Sequence, residues 1–233
     1  MKTIGMIGGL GPEATLDYYK RIIEASRGAG TLDTPEIIIY SVSLQEVLDL
    51  AARREWNHLV YLLTAKMKAL QKAGADFAFI SANTPHVVFD EVQAKSPIPL
   101  ISIVTATLEK AKGLGVKNVG LLGTKFTMEE NFFAPPFSAA GISVVVPPAA
   151  DREYIQEKLM TEIELGIFRE ETREGLLAVI GRMKEQERID AVILGCTELP
   201  LILLKDEFGI PFLNTTAIHV ESVVEYARKE QRW

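Results

Sequence analysis

The 233-residue chain has one cysteine, Cys196, three scattered histidines, and no uninterrupted apolar run of about 18 residues. Each scarcity excludes something. A lone cysteine cannot form an intrachain disulfide, which fits a cytoplasmic protein. His58, His86 and His219 never fall at a helical ligand-pair spacing, so no metal site is expected. Without a long apolar run no membrane span is expected. The start, "MKTIGMIGGLGPEAT", is short in apolar residues, broken by glycine and soon followed by Asp17. It reads as a strand and loop, not as a signal peptide. Basic residues are not clustered and the net charge is −6, so no nucleic-acid partner is expected. "GGLGPEA" lacks the G-x-G-x-x-G spacing of a dinucleotide fingerprint.

What is present is an ordinary globular composition, 48% apolar and 24% charged, at a length that fits one large domain or two small ones. Short apolar runs alternate with amphipathic stretches. "TIGMIGG" (3–9), "EIIIYSV" (36–42), "DFAFISA" (76–82), "PLISIV" (99–104), "NVGLLGT" (118–124), "ISVVVP" (142–147), "AVILGC" (191–196) and "PFLNT" (211–215) read as strands. Their hydrophobicity is continuous rather than alternating, the pattern of parallel strands covered on both faces. Helices are expected over 12–27, 55–73, 151–165, 170–187 and 216–230. Strand–helix alternation predicts an α/β fold with parallel sheets.

The chain also repeats itself. "KTIGMIGG" (2–9) parallels "KNVGLLGT" (117–124), "GADFAFISANTPH" (74–86) parallels "RIDAVILGCTELP" (188–200), and "IPLISIV" (98–104) parallels "IPFLNTT" (210–216). Gly8 and Ala82 are 74 positions apart, and Gly123 and Cys196 are 73 apart. Three motifs in one order at one spacing indicate a duplicated α/β unit of domain size. The expected architecture is two similar parallel-sheet α/β domains with pseudo-twofold symmetry. The first runs over 1–100 and takes back 210–233; the second runs over 101–209. Ligands of open parallel sheets bind beyond the carboxyl ends of the strands. The loops after "ISANTPH" and "LGCTELP" would therefore face an interdomain cleft, with Ala82 and Cys196 in equivalent positions.

Candidate site residues follow from those loops. An ordinary thiol, with a pKa of about 8.5, is mostly protonated at neutral pH. A strand end leading into a helix N-terminus is expected to stabilise the Cys196 thiolate. Asn83, Thr84, Thr197 and Thr124 offer donors and acceptors to a small ligand, although Asn83 and Thr84 also suit a helix cap. Gly8, Gly9 and Gly11 allow a tight loop in which a carboxylate approaches backbone amides. His86 reads as structural, His219 as a cap or a cleft residue, and Glu198 as either a partner of the thiol or a solvated carboxylate.

Four motifs, "GGLGPEAT" (8–15), "NTPH" (83–86), "GLLGTKFTM" (120–128) and "GCTELP" (195–200), make the chain resemble the aspartate/glutamate racemase family over essentially its whole length. The resemblance implies a cofactor-independent amino-acid racemase, a small amino-acid substrate and a homodimer. Two-thiol members of the family carry one cysteine before "NT" and another in "GCT". One removes the α-proton and the other returns a proton to the opposite face. By that resemblance Cys196 is the catalytic acid/base, and Ala82 occupies a vacant catalytic position. A branch resembling arylmalonate decarboxylase uses a single cysteine, so a lyase or other isomerase is one alternative and a non-catalytic amino-acid-binding protein another. Aspartate-using relatives place an arginine after the second strand and a lysine before the glycine of "ELG". Here "SVSLQEVLDL" (41–50) has no arginine and "EIELG" (162–166) puts Glu164 near the lysine's place. Arg53, Arg54 and Lys125 are the cations nearest these loops, and a neutral or basic substrate side chain also fits.

Overall fold

The structure, a computed structural model, describes residues 1–27 and 34–229. Residues 28–33 and 230–233, which fall within the expected first domain and the end of the expected last helix, lie outside the described residues. The chain forms two compact units, Met1–Ile103 with Thr216–Trp233, and Val104–Thr215.

The first unit holds β1 (Ile4–Gly8), β2 (Ile37–Ser41), β3 (Phe77–Ile80) and β4 (Leu100–Ile101), all parallel, in the order β2-β1-β3-β4. The second holds β5 (Asn118–Leu122), β6 (Ser143–Val145), β7 (Ala191–Leu194) and β8 (Phe212–Asn214), also parallel, in the order β6-β5-β7-β8. The two sheets thus have one topology. The three repeated motifs supply the second, third and fourth strands of each sheet.

Central strands are apolar on both faces because both faces are covered. Ile4, Met6, Phe77 and Phe79 pack with Tyr18 and Ile22 of the helix Pro12–Ser26 and Val220, Val223 and Val224 of the helix Thr215–Arg228. The alternate residues Ile7, Ala78 and Ile80 pack with Leu59, Leu63 and Met67 of the helix Trp56–Lys72. In the second unit Leu122, Val192 and Leu194 pack with Ile155 and Leu159 of the helix Ala149–Thr161 and Leu176, Val179 and Ile180 of the helix Glu170–Glu187.

The expectation of strands buried on both faces fails at the edges. In β2 Ile39 and Tyr40 are exposed, because β2 is the outer strand of its sheet. "PLISIV" forms only a two-residue strand, and a helix starts at Ile103. The return to the first unit comes at 216, not 210, because β8 pairs with β7, with Leu213 opposite Ile193.

The repeat extends to an aspartate at the foot of each third strand. Asp76 Oδ2 accepts from Thr3 N–H at 2.7 Å. Asp190 accepts from Lys117 N–H at 2.8 Å and Asn118 N–H at 3.1 Å. Each carboxylate closes the entry to the neighbouring strand. Asp190→Ala is expected to lower stability by about 1 kcal/mol, read as a reduced urea midpoint at unchanged slope.

Two buried histidines hold the end of the first sheet. His86 Nδ1–H donates to Ala82 C=O at 2.9 Å, and its Nε2 accepts from Ile103 N–H at 3.2 Å. His219 Nδ1 lies 2.9 Å from the Tyr18 hydroxyl, and its Nε2 lies 3.0 Å from Ile101 C=O. The carbonyl requires Nε2–H, so the tyrosine O–H donates to Nδ1. Both rings are neutral in this arrangement, and burial lowers their pKa values from 6.5 to about 4 for His86 and about 3 for His219. The unfolded chain takes up these protons as the pH falls below 6.5, while the folded chain does not until about pH 4. The contribution of each histidine to stability is therefore expected to fall by about 2 kcal/mol between pH 6.5 and about 5, against the opposite trend of the raised Glu164 carboxyl. Chemical denaturation across that range, on wild type and His219→Gln, measures the slope.

Candidate active site

The carboxyl end of β7 is built by close backbone approach. Gly195 N–H donates to Leu122 C=O at 2.6 Å, and a Cβ on Gly195 would stand 2.8 Å from that same oxygen. Only glycine fits between the two strand ends, and the next residue is Cys196. The Thr215 hydroxyl donates to Leu194 C=O at 2.7 Å, closing the strand end from the β8 side. After Cys196 the chain turns through Thr197 and Glu198 into the short helix Leu199–Ile202.

In the first unit the same step is taken by Ser81, whose N–H donates to Ile7 C=O at 3.0 Å. The residue after it is Ala82. Leu194 pairs with Leu122 just as Ile80 pairs with Ile7, so Ala82 and Cys196 are equivalent positions in equivalent sheets.

Cys196 is buried between two carboxyls. Its Sγ lies 3.1 Å from Glu198 Oε2 and 3.4 Å from Glu164 Oε1. The Thr197 hydroxyl donates to Glu198 Oε2 at 2.9 Å. Glu164 is brought there by the 3₁₀ turn Ile163–Leu165, which ends at Gly166 with a positive φ of 73°. Glu162, two residues earlier, anchors that turn. It accepts from Lys158 Nζ at 2.8 Å and from the Thr172 hydroxyl. Those two partners hold its carboxylate below the usual pKa.

The electrostatics reverse one expectation. Burial, then Glu198, then Glu164 push the Cys196 thiol well above its ordinary pKa. The expected thiolate stabilisation by a helix N-terminus is overridden, since that helix is only four residues long and two acidic groups lie closer. Burial, with Glu198 next to it, pushes the Glu164 carboxyl up to about 8. Burial likewise raises Glu198, against opposing hydrogen bonds from Cys196 and Thr197. Burial and the mutual repulsion of the trio favour a protonated thiol and a protonated Glu164. Chemically the trio can exchange a proton between sulfur and carboxylate without any change in total charge. The three donor atoms lie within 4.8 Å of one another, a spacing that also suits a metal ion.

Other expected site residues are engaged locally. Gly9 has φ 82° and a backbone so close to Val42 C=O that a Cβ would lie 2.3 Å from it. Its N–H donates to Thr15 Oγ1 at 2.8 Å, so this amide is committed within the loop. Thr124 Oγ1 caps the helix Lys125–Glu129, accepting from Thr127 N–H at 3.2 Å. Asn83 is buried and Thr84 half-buried just after β3; Asn83 makes no side-chain cap bond to the 3₁₀ turn Thr84–Val88. His86 and His219 serve the first sheet's packing as described. Lys125 is ion-paired to Glu153, and Arg53 to Glu55 at 2.8 Å. The juxtaposition of Glu164 with Cys196 escaped the reading of the residues themselves. Only its place relative to the lysine of related sequences drew attention to it.

Two like-built parallel α/β units, one with a buried thiol at a strand end beside two carboxyls, define the class of molecule. The chain belongs to the Asp/Glu/Hydantoin racemase family, which it matches over residues 7–223. Among solved structures it is similar to an aspartate racemase homologue from Pyrococcus horikoshii OT3. The identity is 37%, the TM-score 0.83, and 98% of this chain and 100% of that one are covered. It is also similar to the broad specificity amino-acid racemase RacX of Bacillus subtilis (strain 168), 22% identical over 95% of this chain and 96% of that protein. Arylmalonate decarboxylase shares the fold at a TM-score of 0.56 and 16% identity, over 98% of this chain and 93% of that one. No helix among the described residues is long and apolar enough to cross a membrane.

Proposed function

We propose that the protein is a cofactor-independent amino-acid racemase in which Cys196 exchanges a proton with the substrate's Cα. The observation that carries this reading is the Cys196 thiol, buried at a strand end with Glu198 Oε2 at 3.1 Å. Glu198 takes the sulfur's proton, and the thiolate so formed removes the α-proton. In the reverse sense the thiol delivers its proton to the carbanion and recovers one from Glu198. The trio keeps its charge when Glu198 takes the sulfur's proton, which offsets the burial penalty on a lone thiolate, and the negative charge passes to the substrate carbanion when the thiolate takes the α-proton. Thr197, Thr124, Asn83, Thr84 and the Gly9 loop hold the amino and carboxylate groups of the substrate. The protein works as a cytoplasmic homodimer and needs no cofactor.

Ala82 carries no transferable proton, so the second face of Cα is served by water or another group, and inversion is slow. That same alanine favours a second reading, a lyase using Cys196 as lone proton donor. Enantiomerically pure amino acids incubated with the protein and resolved by chiral chromatography separate the two. Appearance of the opposite enantiomer supports racemisation; loss of amino acid with carbon dioxide release supports the lyase.

A smaller effect is expected at Glu198. Glu198→Gln keeps the shape but removes the proton acceptor, so the proton-exchange rate falls by about tenfold to a hundredfold with little change in KM. An unchanged kcat would remove Glu198 from the mechanism.

A further inference from the structure

Glu164 is an expensive residue to keep where it is. Glu164 is half-buried, stands 3.4 Å from Cys196 Sγ, and shares that sulfur with a buried carboxyl. Glu198 Oε1 is itself buried with no hydrogen-bond partner among the described residues, and Glu198 is only 1% exposed. A buried carboxylate oxygen left without a donor calls for one from a ligand. Among the described residues no lysine or arginine offsets the trio. The groups that shift Cys196, Glu164 and Glu198 are one another, with a hydrogen bond between the two carboxyls, together with Thr197 and the backbone at Glu198, and no cation figures among them. The nearest basic residues in the sequence are already engaged: Lys158 is paired to Glu162 at 2.8 Å, and Arg169 lies 4.0 Å from the same carboxylate. Lys125 is paired to Glu153.

We propose that Glu164 is a specificity-determining residue that, with Glu198, directs the site to amino acids with a cationic side chain and away from the dicarboxylic amino acids. This rests on the racemase reading, in which Cα sits within proton-transfer distance of Cys196 Sγ. Every substituent on Cα is then within one side chain's length of the Glu164 carboxyl. A side-chain ammonium supplies the donors that Glu198 Oε1 lacks and the positive charge that the pair lacks. It also offsets the burial and the repulsion by Glu198 that keep Glu164 protonated, so Glu164 gives up its proton as the ligand binds. A second carboxylate on the ligand meets the opposite situation: two acidic neighbours and no donor cation among the described residues that shift them.

The test compares lysine, ornithine, alanine, aspartate and glutamate as substrates for α-proton exchange in D₂O, with wild type, Glu164→Gln and Glu164→Lys. Wild type is expected to exchange lysine or ornithine with a kcat/KM at least about tenfold above aspartate or glutamate, the difference lying mainly in KM. Glu164→Gln, nearly isosteric and not expected to disturb folding, should collapse that ratio, and Glu164→Lys should invert it. Calorimetry in buffers of different ionisation enthalpy gives a readout separate from turnover. Lysine binding should release a proton from wild type and none from Glu164→Gln. Exchange that favours aspartate or glutamate in wild type, or a ratio unmoved by both substitutions, overturns the selection by Glu164 and leaves the racemase reading standing. Exchange of no amino acid at all overturns the racemase reading, and the selection with it.

Discussion

Cys196→Ala is expected to lower α-proton exchange by about a thousandfold, because no other group at the end of β7 can take the sulfur's place. Glu198 and Glu164 touch the sulfur but are held by burial and by Thr197 in positions set for the thiol, not for Cα. The loss should appear in kcat with little change in KM, as when a group active only in the transition state is removed. Cys196 packs in the apolar core of the second unit, so a thermal unfolding scan must accompany the kinetics. A variant that unfolds near the wild-type temperature and has lost exchange identifies the thiol as the acid/base. A folded variant that retains exchange would remove it from that role.

Ala82→Cys is the second large effect. Ala82 follows Ser81, whose N–H bonds to Ile7, as Cys196 follows Gly195, whose N–H bonds to Leu122. A thiol there is expected to raise the rate of inversion by about a hundredfold, the typical contribution of a positioned acid/base. Ala82 is buried, and its carbonyl is held by His86 Nδ1–H at 2.9 Å, so the backbone that would carry the new thiol is fixed. The extra atom costs about 1 kcal/mol of stability. Chiral chromatography on a pure enantiomer reads the gain, and the double variant Ala82→Cys with Cys196→Ala shows whether one thiol suffices. Inversion unchanged by the new thiol would mean that the second face of Cα is not approached from the end of β3.

Both predictions depend on a duplication that was legible in the sequence, and the reason is physical. β1, β3, β5 and β7 are central strands, so nearly every position is buried and apolar, and the two copies remain alike. Glycines stand at 8, 123 and 195, where a Cβ would strike a neighbouring helix or strand end. β2 and β6 are edge strands with fewer constraints. "EIIIYSV" was read as buried, yet Ile39 and Tyr40 face outward. The sequence puts the return to the first unit at 210, six residues before the observed 216, because the pairing of β8 with β7 is a long-range contact with no local mark. Short helices such as Lys125–Glu129 fall below the length at which periodicity is readable.

The site was legible in part for similar reasons. Cys196, Thr197 and Glu198 are adjacent in the chain, so their grouping needed no fold. Glu164 lies 32 residues earlier and reaches the sulfur only through the 3₁₀ turn that Glu162 anchors to Thr172. Without that contact the thiol looked set to ionise easily; with it, the thiol is held protonated. Gly9 and Thr124 read as ligand positions because glycine loops and threonines after strands often are, and the proposed mechanism keeps them there. The amide of Gly9 and the hydroxyl of Thr124 also bond within their own loops.

The most direct measurement is solvent exchange at Cα. Wild-type protein is incubated in D₂O with a panel of L- and D-amino acids, and the α-proton signal of each is followed by NMR. The account predicts that this signal decays for at least one amino acid with wild type and persists with Cys196→Ala. Full α-proton intensity for every amino acid on the panel, with folded wild-type protein present, would contradict it.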